Sequence, residues 1–174
     1  MLTNRPQNGQ GLGLEIVQIT TPELFAGISL KATVENHFKV AKELANDFVK
    51  IQPRLRYRST PQVTVTLTGT KDASGEFDYF IGEAVQKAAQ EKSVNLVTLE
   101  PGTYAQLRVK KNPSFLLGWR LARVRKIFYS KFLPGSAYEK SERFDEMEYY
   151  GYESQLHPRR AQSMTLLIPL KKKS

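Results

Sequence analysis

The chain has no cysteine among its 174 residues. Disulfides, thiolate metal sites and cysteine nucleophiles are therefore excluded, an absence that fits a reducing compartment. No apolar run is long enough to span a bilayer. Asn4, Arg5, Gln7 and Asn8 interrupt the start, where the apolar stretch of a signal peptide would stand. The protein is read as cytoplasmic, with no membrane partner. Histidine is scarce as well: His37 and His157 have no carboxylate or histidine neighbours at ligand spacing, so no metal is expected. Ser-His-Asp arrangements, P-loops, dinucleotide fingerprints and zinc motifs are all missing, and no cofactor is expected. Gly9-Gln10-Gly11-Leu12-Gly13 is glycine-rich but precedes the first strand, whereas a phosphate loop follows one.

What the chain does have is positive charge, +9 in all, with 40% hydrophobic residues to build a core. A basic protein of this kind raises nucleic acid or an anionic surface as a partner. The distribution argues otherwise. Arg108 to Lys131 holds eight Lys and Arg residues (Arg108, Lys110, Lys111, Arg120, Arg123, Arg125, Lys126, Lys131) and no acid, while Glu139 to Glu153 is mostly acidic. Neighbouring segments of opposite sign can pair with each other. Arg54 to Arg58 is a second basic cluster, unaccompanied by any helix-turn-helix, zinc-finger or RNP motif. Direct DNA binding is not expected, and neither basic segment has an assigned role.

Residues 1–13 read as a flexible arm, 14–170 as one domain and 171–174 as a basic tail. Leu14 to Ile19 and Phe25 to Thr33 have strand character, with Gly27 marking a bulge or close approach. From Asn36 to Gln52 the period becomes helical: Phe38, Ala41, Leu44, Ala45 and Phe48 recur on one face, and Pro53 ends it. Val63 to Leu67 and Phe77 to Val85 form a hairpin around Asp72-Ala73-Ser74-Gly75. The order then repeats, with strands at Leu96 to Leu99 and Thr103 to Val109 and a helix from Pro113 to Phe132. Strands at Phe144 to Tyr152 and Met164 to Leu170 complete it. The fold class is α+β: two β-α-β-β modules, about 14–90 and 94–170, related by a pseudo-twofold axis in a mostly antiparallel sheet. Both helices are expected on one face, leaving a ligand groove along the seam on the other.

Within the strand around Met147-Glu148-Tyr149-Tyr150, period two puts Glu148 on the face of Tyr150 and Tyr152. A carboxylate among aromatic rings suits a cationic guest, because ring quadrupoles and the carboxylate both attract it. The alternative is that Glu148 pairs with a basic residue of the preceding helix. Tyr104, the lone Trp119 and Tyr138 are further candidates for the walls, although an aromatic at helical spacing such as Trp119 more often belongs to a core, and Tyr79, like Tyr104 and Tyr138, has a hydroxyl that needs a partner if buried.

Several segments resemble the gyrase-inhibitor-like (GyrI-like) effector-binding domains. They are Gly27, Phe80-Ile81-Gly82-Glu83-Ala84-Val85, Pro101-Gly102-Thr103-Tyr104-Ala105, Trp119, Phe132 to Tyr138, Met147-Glu148-Tyr149-Tyr150 and Ile168-Pro169-Leu170. The order and spacing of these motifs, from Leu14 to Leu170, carry the resemblance. It implies tandem β-α-β-β modules around a ligand cleft and places the family's central acidic residue on Glu148. Met147 replaces the usual Phe before it, a volume-conserving change. With little chain ahead of the domain, this looks like a stand-alone member.

The leading expectation is a non-enzymatic protein that binds or sequesters a small cationic or amphipathic organic ligand, in drug or toxin response or transcriptional regulation. Glu148 would be the counter-charge, with Tyr104, Trp119, Tyr138 and Tyr150 as walls. No catalytic residue is assigned. In the alternative, a hydrolase of electrophilic cyclopropanoid toxins, Glu148 would be the general acid or base. A third possibility is a protein-interaction module of the gyrase-inhibitor kind. Ligand identity and oligomeric state are not legible.

Overall fold

A computed structural model describes residues 13–109, 114–151 and 164–173, apart from the side chains of 114–117. The arm, Asn112-Pro113, Tyr152 and the His157-Pro158-Arg159-Arg160 segment therefore lie outside the described residues. The described residues form nine strands: β1 (Leu14–Ile19), β2 (Glu23–Ala32), β3 (Val63–Thr68), β4 (Phe77–Val85), β5 (Asn95–Leu99), β6 (Gly102–Val109), β7 (Tyr138–Lys140), β8 (Glu146–Gly151) and β9 (Met164–Lys172). Helix α1 spans His37–Ile51, and α2 spans Ser114–Ile127 before loosening into a π turn over Phe128–Phe132. The helical and strand periods thus translate into the expected elements. Among the described strands, only the three-residue β7, too short to display a period, was not expected.

All strands pair antiparallel, in the order β1-β6-β9-β8-β3-β4-β2-β5, with β7 added to β9. The order is symmetric about the β8–β3 seam. Along the chain, modules divide near residue 90, but the hydrogen bonds do not follow that division. β1 opens the first module but pairs with β6 of the second, while β5 opens the second and pairs with β2 of the first. Each half therefore lends its partner an edge strand, which ties the two into one sheet.

That sheet is curled. Phe25 on β2 and Tyr149 on β8 are three strand spacings apart in the ladder, about 14 Å in a flat sheet. Their rings nevertheless meet edge to face at 5.7 Å. The concave face is filled by a core of Phe25, Val65, Phe80, Leu99, Tyr104, Met147 and Leu167, joined by Val17 and Ile19 from the far edge. Glycine permits the bend: Gly27 and Gly82 face each other across β2 and β4, and a Cβ on Gly27 would lie 2.0 Å from the Ile81 carbonyl oxygen. The tip of the β3–β4 hairpin uses a third glycine, Gly75, at φ +84°.

The convex face carries both helices. α1 buries Val40, Leu44 and Phe48, at i, i+4 and i+8, the last packing over β2 and β4 with Ala26 and Val85. α2 lays Leu121, Val124 and Phe128 on Ala105, Leu107, Leu166 and Ile168 of β6 and β9. Between the two helix footprints lie β3 and β8, whose convex-face residues are only half-buried.

Candidate functional site

Residues directly opposite in an antiparallel ladder point to the same face. The register Glu148↔Leu166↔Leu107 therefore puts Glu148 on the face covered by α2, and Thr66 and Ile81 share it from the other module. This corrects the expected placement of the groove. The face opposite the helices is occupied by the aromatic core, because the sheet curls onto itself there. Glu148 instead stands on the helix-bearing face, at the middle of the seam.

Period two places Glu146 and Tyr150 beside Glu148 on that face, and the structure brings in Arg125 from α2. The Arg125 guanidinium donates from Nε to Glu146 Oε2 at 2.5 Å and from Nη2 to Glu148 Oε1 at 2.9 Å. Hydroxyls supply the remaining donors. Glu148 Oε2 accepts from Tyr150 at 2.5 Å and from Thr66 at 3.1 Å, and Glu146 Oε1 accepts from Tyr129 at 3.3 Å. The side chains of Glu146, Glu148 and Arg125 are 13, 17 and 33% exposed, so Arg125 is the most exposed of the three.

Two carboxylates and one guanidinium leave a net charge of −1 in a partly desolvated setting. Burial, opposed by Arg125 and reinforced by the Glu148 charge, pushes the Glu146 carboxyl above its ordinary value. Burial by itself would depress the Arg125 pKa; the two carboxylates outweigh it and raise it. Tyr150 and Tyr79 are held well into the neutral form, first by burial and then by the nearby Glu148 charge. The arrangement is a cluster with more acidic than basic side chains, rimmed by tyrosines.

The other sequence-derived wall residues do not converge on Glu148. Tyr104 is a correction: it is fully buried on the concave face, its hydroxyl donating to the Glu100 carbonyl at 2.6 Å. Its ring lines a separate pocket of about 430 Å³ with Thr98, Glu100, Pro101, Arg143 and Phe144. A strand's alternation says which residues share a face, but only the register through the intervening strand relates β6 to β8. Trp119 is corrected too. It is 61% exposed with Arg123 over its ring, and six residues before Arg125 it points about 120° away around the helix. Tyr138 on β7 packs against the α2 core. Of the four proposed walls, only Tyr150 touches the carboxylate.

Arg125, Glu146, Thr66 and Tyr129 were not singled out by sequence, whereas Tyr79 was, as a phenol that needs a partner if buried. Glu146 could have been, since it lies two residues before Glu148 on the same strand face. The pairing of Glu148 with a basic residue of the preceding helix, the alternative reading, is what the structure contains. The cluster around Arg54 to Arg58 is likewise engaged internally. Arg58 Nε donates at 2.6 Å to Glu83, the one fully buried charge among the described residues, Gln52 donates to the same carboxylate, and Arg54 pairs with Glu91. No cluster of metal-ligating side chains occurs among the described residues. No described helix is long and apolar enough to cross a membrane.

No family model and no curated protein sequence matches the chain. Solved structures do. An integron cassette protein from the mobile metagenome of Vibrio cholerae superposes with a TM-score of 0.65 at 13% identity, covering 91% of this chain and 96% of that one. The EcmrR C-terminal domain gives 0.61 at 14% identity, covering 94% and 99%. SAV2435, in a structure bound to tetraphenylphosphonium, gives 0.62 at 10% identity, covering 91% and 93%. At such identities the likeness is one of fold, and the fold is the GyrI-like one that the sequence motifs resemble.

Proposed function

We propose that the protein is a small-molecule-binding domain whose ligand is an organic cation, held on the helix-bearing face by Glu148 and Glu146. The observation that carries this reading is the unequal charge count: two partly buried carboxylates on one strand share a single guanidinium, inside a rim of tyrosines. A carboxylate partly removed from water attracts a cation more strongly than one at the surface, and phenol rings add their quadrupoles. The fold supports the same reading, since one protein that shares it, SAV2435, has been seen with tetraphenylphosphonium, a lipophilic cation. Tyr150 and Tyr79 would then form the walls next to the charge, in place of Tyr104 and Trp119.

Titration of tetraphenylphosphonium into the parent protein and Glu148→Gln, at two salt concentrations, tests this. Gln keeps the size and the hydrogen-bonding capacity but removes the charge. Loss of a partly desolvated charge pair costs on the order of 1–3 kcal/mol, roughly a five- to hundred-fold weaker affinity. Equal affinities in the two proteins would overturn the counter-charge assignment.

A further inference from the structure

The Arg125 guanidinium spans the two carboxylates as a fork. Glu146 and Glu148 are two residues apart on one strand face, a separation of about 6.5–7 Å along the backbone. The guanidinium bridges it with one N–H to each, Nε to Glu146 and Nη2 to Glu148. Among the described residues, every other hydrogen bond to these carboxylates comes from a hydroxyl that belongs to the sheet or to the π turn: Thr66, Tyr150 and Tyr129. The hydroxyls engage Glu148 Oε2 and Glu146 Oε1, so Arg125 serves the remaining two oxygens, Glu148 Oε1 and Glu146 Oε2. It is also the most exposed of the three charged side chains and reaches the cluster from the helix, whereas both carboxylates stand on the sheet.

We infer that Arg125 is a resident stand-in for the ligand, and that the natural guest is a cation carrying a planar fork of N–H donors, an aryl amidinium or guanidinium, which binds by displacing the Arg125 side chain. The inference rests on the cation-binding reading above and narrows its ligand class. A fully substituted onium can replace the charge of Arg125 but has no N–H to offer. It leaves the two vacated oxygens without donors, and a buried acceptor left unpaired lowers affinity. An amidinium restores both hydrogen bonds and keeps the charge. The aryl body would lie against Tyr150 and Tyr79, whose phenols burial and the Glu148 charge keep neutral.

The experiment uses two probes, the fluorescent aryl amidine 4′,6-diamidino-2-phenylindole and tetraphenylphosphonium, against the parent, Arg125→Met and Arg125→Lys. Arg125→Met removes the internal competitor and should bind the amidine at least ten-fold more tightly. Arg125→Lys keeps a charge but loses the fork and should fall between Met and the parent. The parent itself should prefer the amidine to the phosphonium. Amidine affinity that is unchanged or weaker in Arg125→Met would overturn the inference, because Arg125 would then be orienting the carboxylates and not competing for them. If Arg125→Met fails to fold, as thermal unfolding would report, Arg125→Lys decides the matter: an affinity no higher than the parent's rejects displacement. Phosphonium binding without amidine binding would reject this inference and leave the cation reading intact. Binding of neither probe to any of the three proteins would reject both.

Discussion

Thr66 and Glu148 stand directly opposite each other across the β3–β8 seam, and the Thr66 hydroxyl donates to Glu148 Oε2 at 3.1 Å. One module thus presents the carboxylate and the other steadies it. Thr66→Val removes the donor at nearly constant shape, and a hydrogen bond to a charged acceptor contributes about 1.5–3 kcal/mol. Because Glu148 keeps Tyr150 and Arg125, the expected loss of stability lies near the lower end, read from urea unfolding. A loss indistinguishable from zero would mean that water replaces the hydroxyl without cost.

Glu83 and Arg58 form a second acid–base pair, with the carboxylate fully buried and the guanidinium about one quarter exposed. Removing only one partner strands a buried charge, which costs about 3–5 kcal/mol. Arg58→Met, which leaves the buried Glu83 carboxylate without its cation, should therefore be severely destabilised, while the double replacement Glu83→Leu with Arg58→Met should recover most of the loss. A double-mutant cycle on chemical denaturation separates the coupling from the two single effects. An additive result would show that the pair contributes nothing as a pair.

Two glycines should respond in opposite directions. Gly27→Ala would push its Cβ to 2.0 Å from a backbone oxygen and 2.5 Å from Gly82 Cα, neither of which can rotate away. Overpacking against backbone should cost about 3 kcal/mol or more. Gly118 is an exposed position of α2, and a Cβ added there would meet nothing within 4 Å. Gly118→Ala should stabilise the protein by about 0.5–1 kcal/mol through helix propensity. Thermal melts of the two variants check both signs.

The phenols of Tyr79, Tyr129, Tyr149 and Tyr150 all have pKa values raised above 10, first through burial and then through neighbouring carboxylates: Glu148 for Tyr79 and Tyr150, Glu146 for Tyr129 and Glu23 for Tyr149. A raised folded-state pKa means that the native chain holds these protons after the unfolded chain has released them. Their contribution is complete below about pH 10 and is lost as pH rises above it. Stability should fall steeply above that pH, and Tyr150→Phe should make the fall shallower. Absorbance titration near 295 nm should show a group of tyrosines that ionise only on unfolding. Smooth titration of all eight tyrosines near the ordinary value would contradict the burial argument.

Much of this protein follows from local regularities that the sequence displays by itself. Period two around Glu148 established that it shares a face with Tyr150, and period 3.6 located both helices, because these patterns reflect backbone geometry within one element. The motif order from Gly27 to Ile168-Pro169-Leu170 was enough to indicate the fold. Gly27 announced a close approach, which the Gly27–Gly82 pair turned out to be.

Relations between elements were decided by the tertiary structure alone. Whether Tyr104 on β6 shares a face with Glu148 on β8 depends on the register through β9, and a slip of one residue reverses the answer. Which side of the sheet stays open depends on its curl, which brings Phe25 to Tyr149 and fills the face that alternation left as a groove. The exchange of β1 and β5 between modules is a matter of pairing, invisible to any window along the chain. So is the meeting of Arg125 with Glu146 and Glu148. The charge pattern around residues 108–153 allowed internal pairing, but only the packing of Leu121, Val124 and Phe128 on β6 and β9 sets the rotation of α2. That rotation aims one of its cations at the carboxylates and sends Trp119 out to solvent.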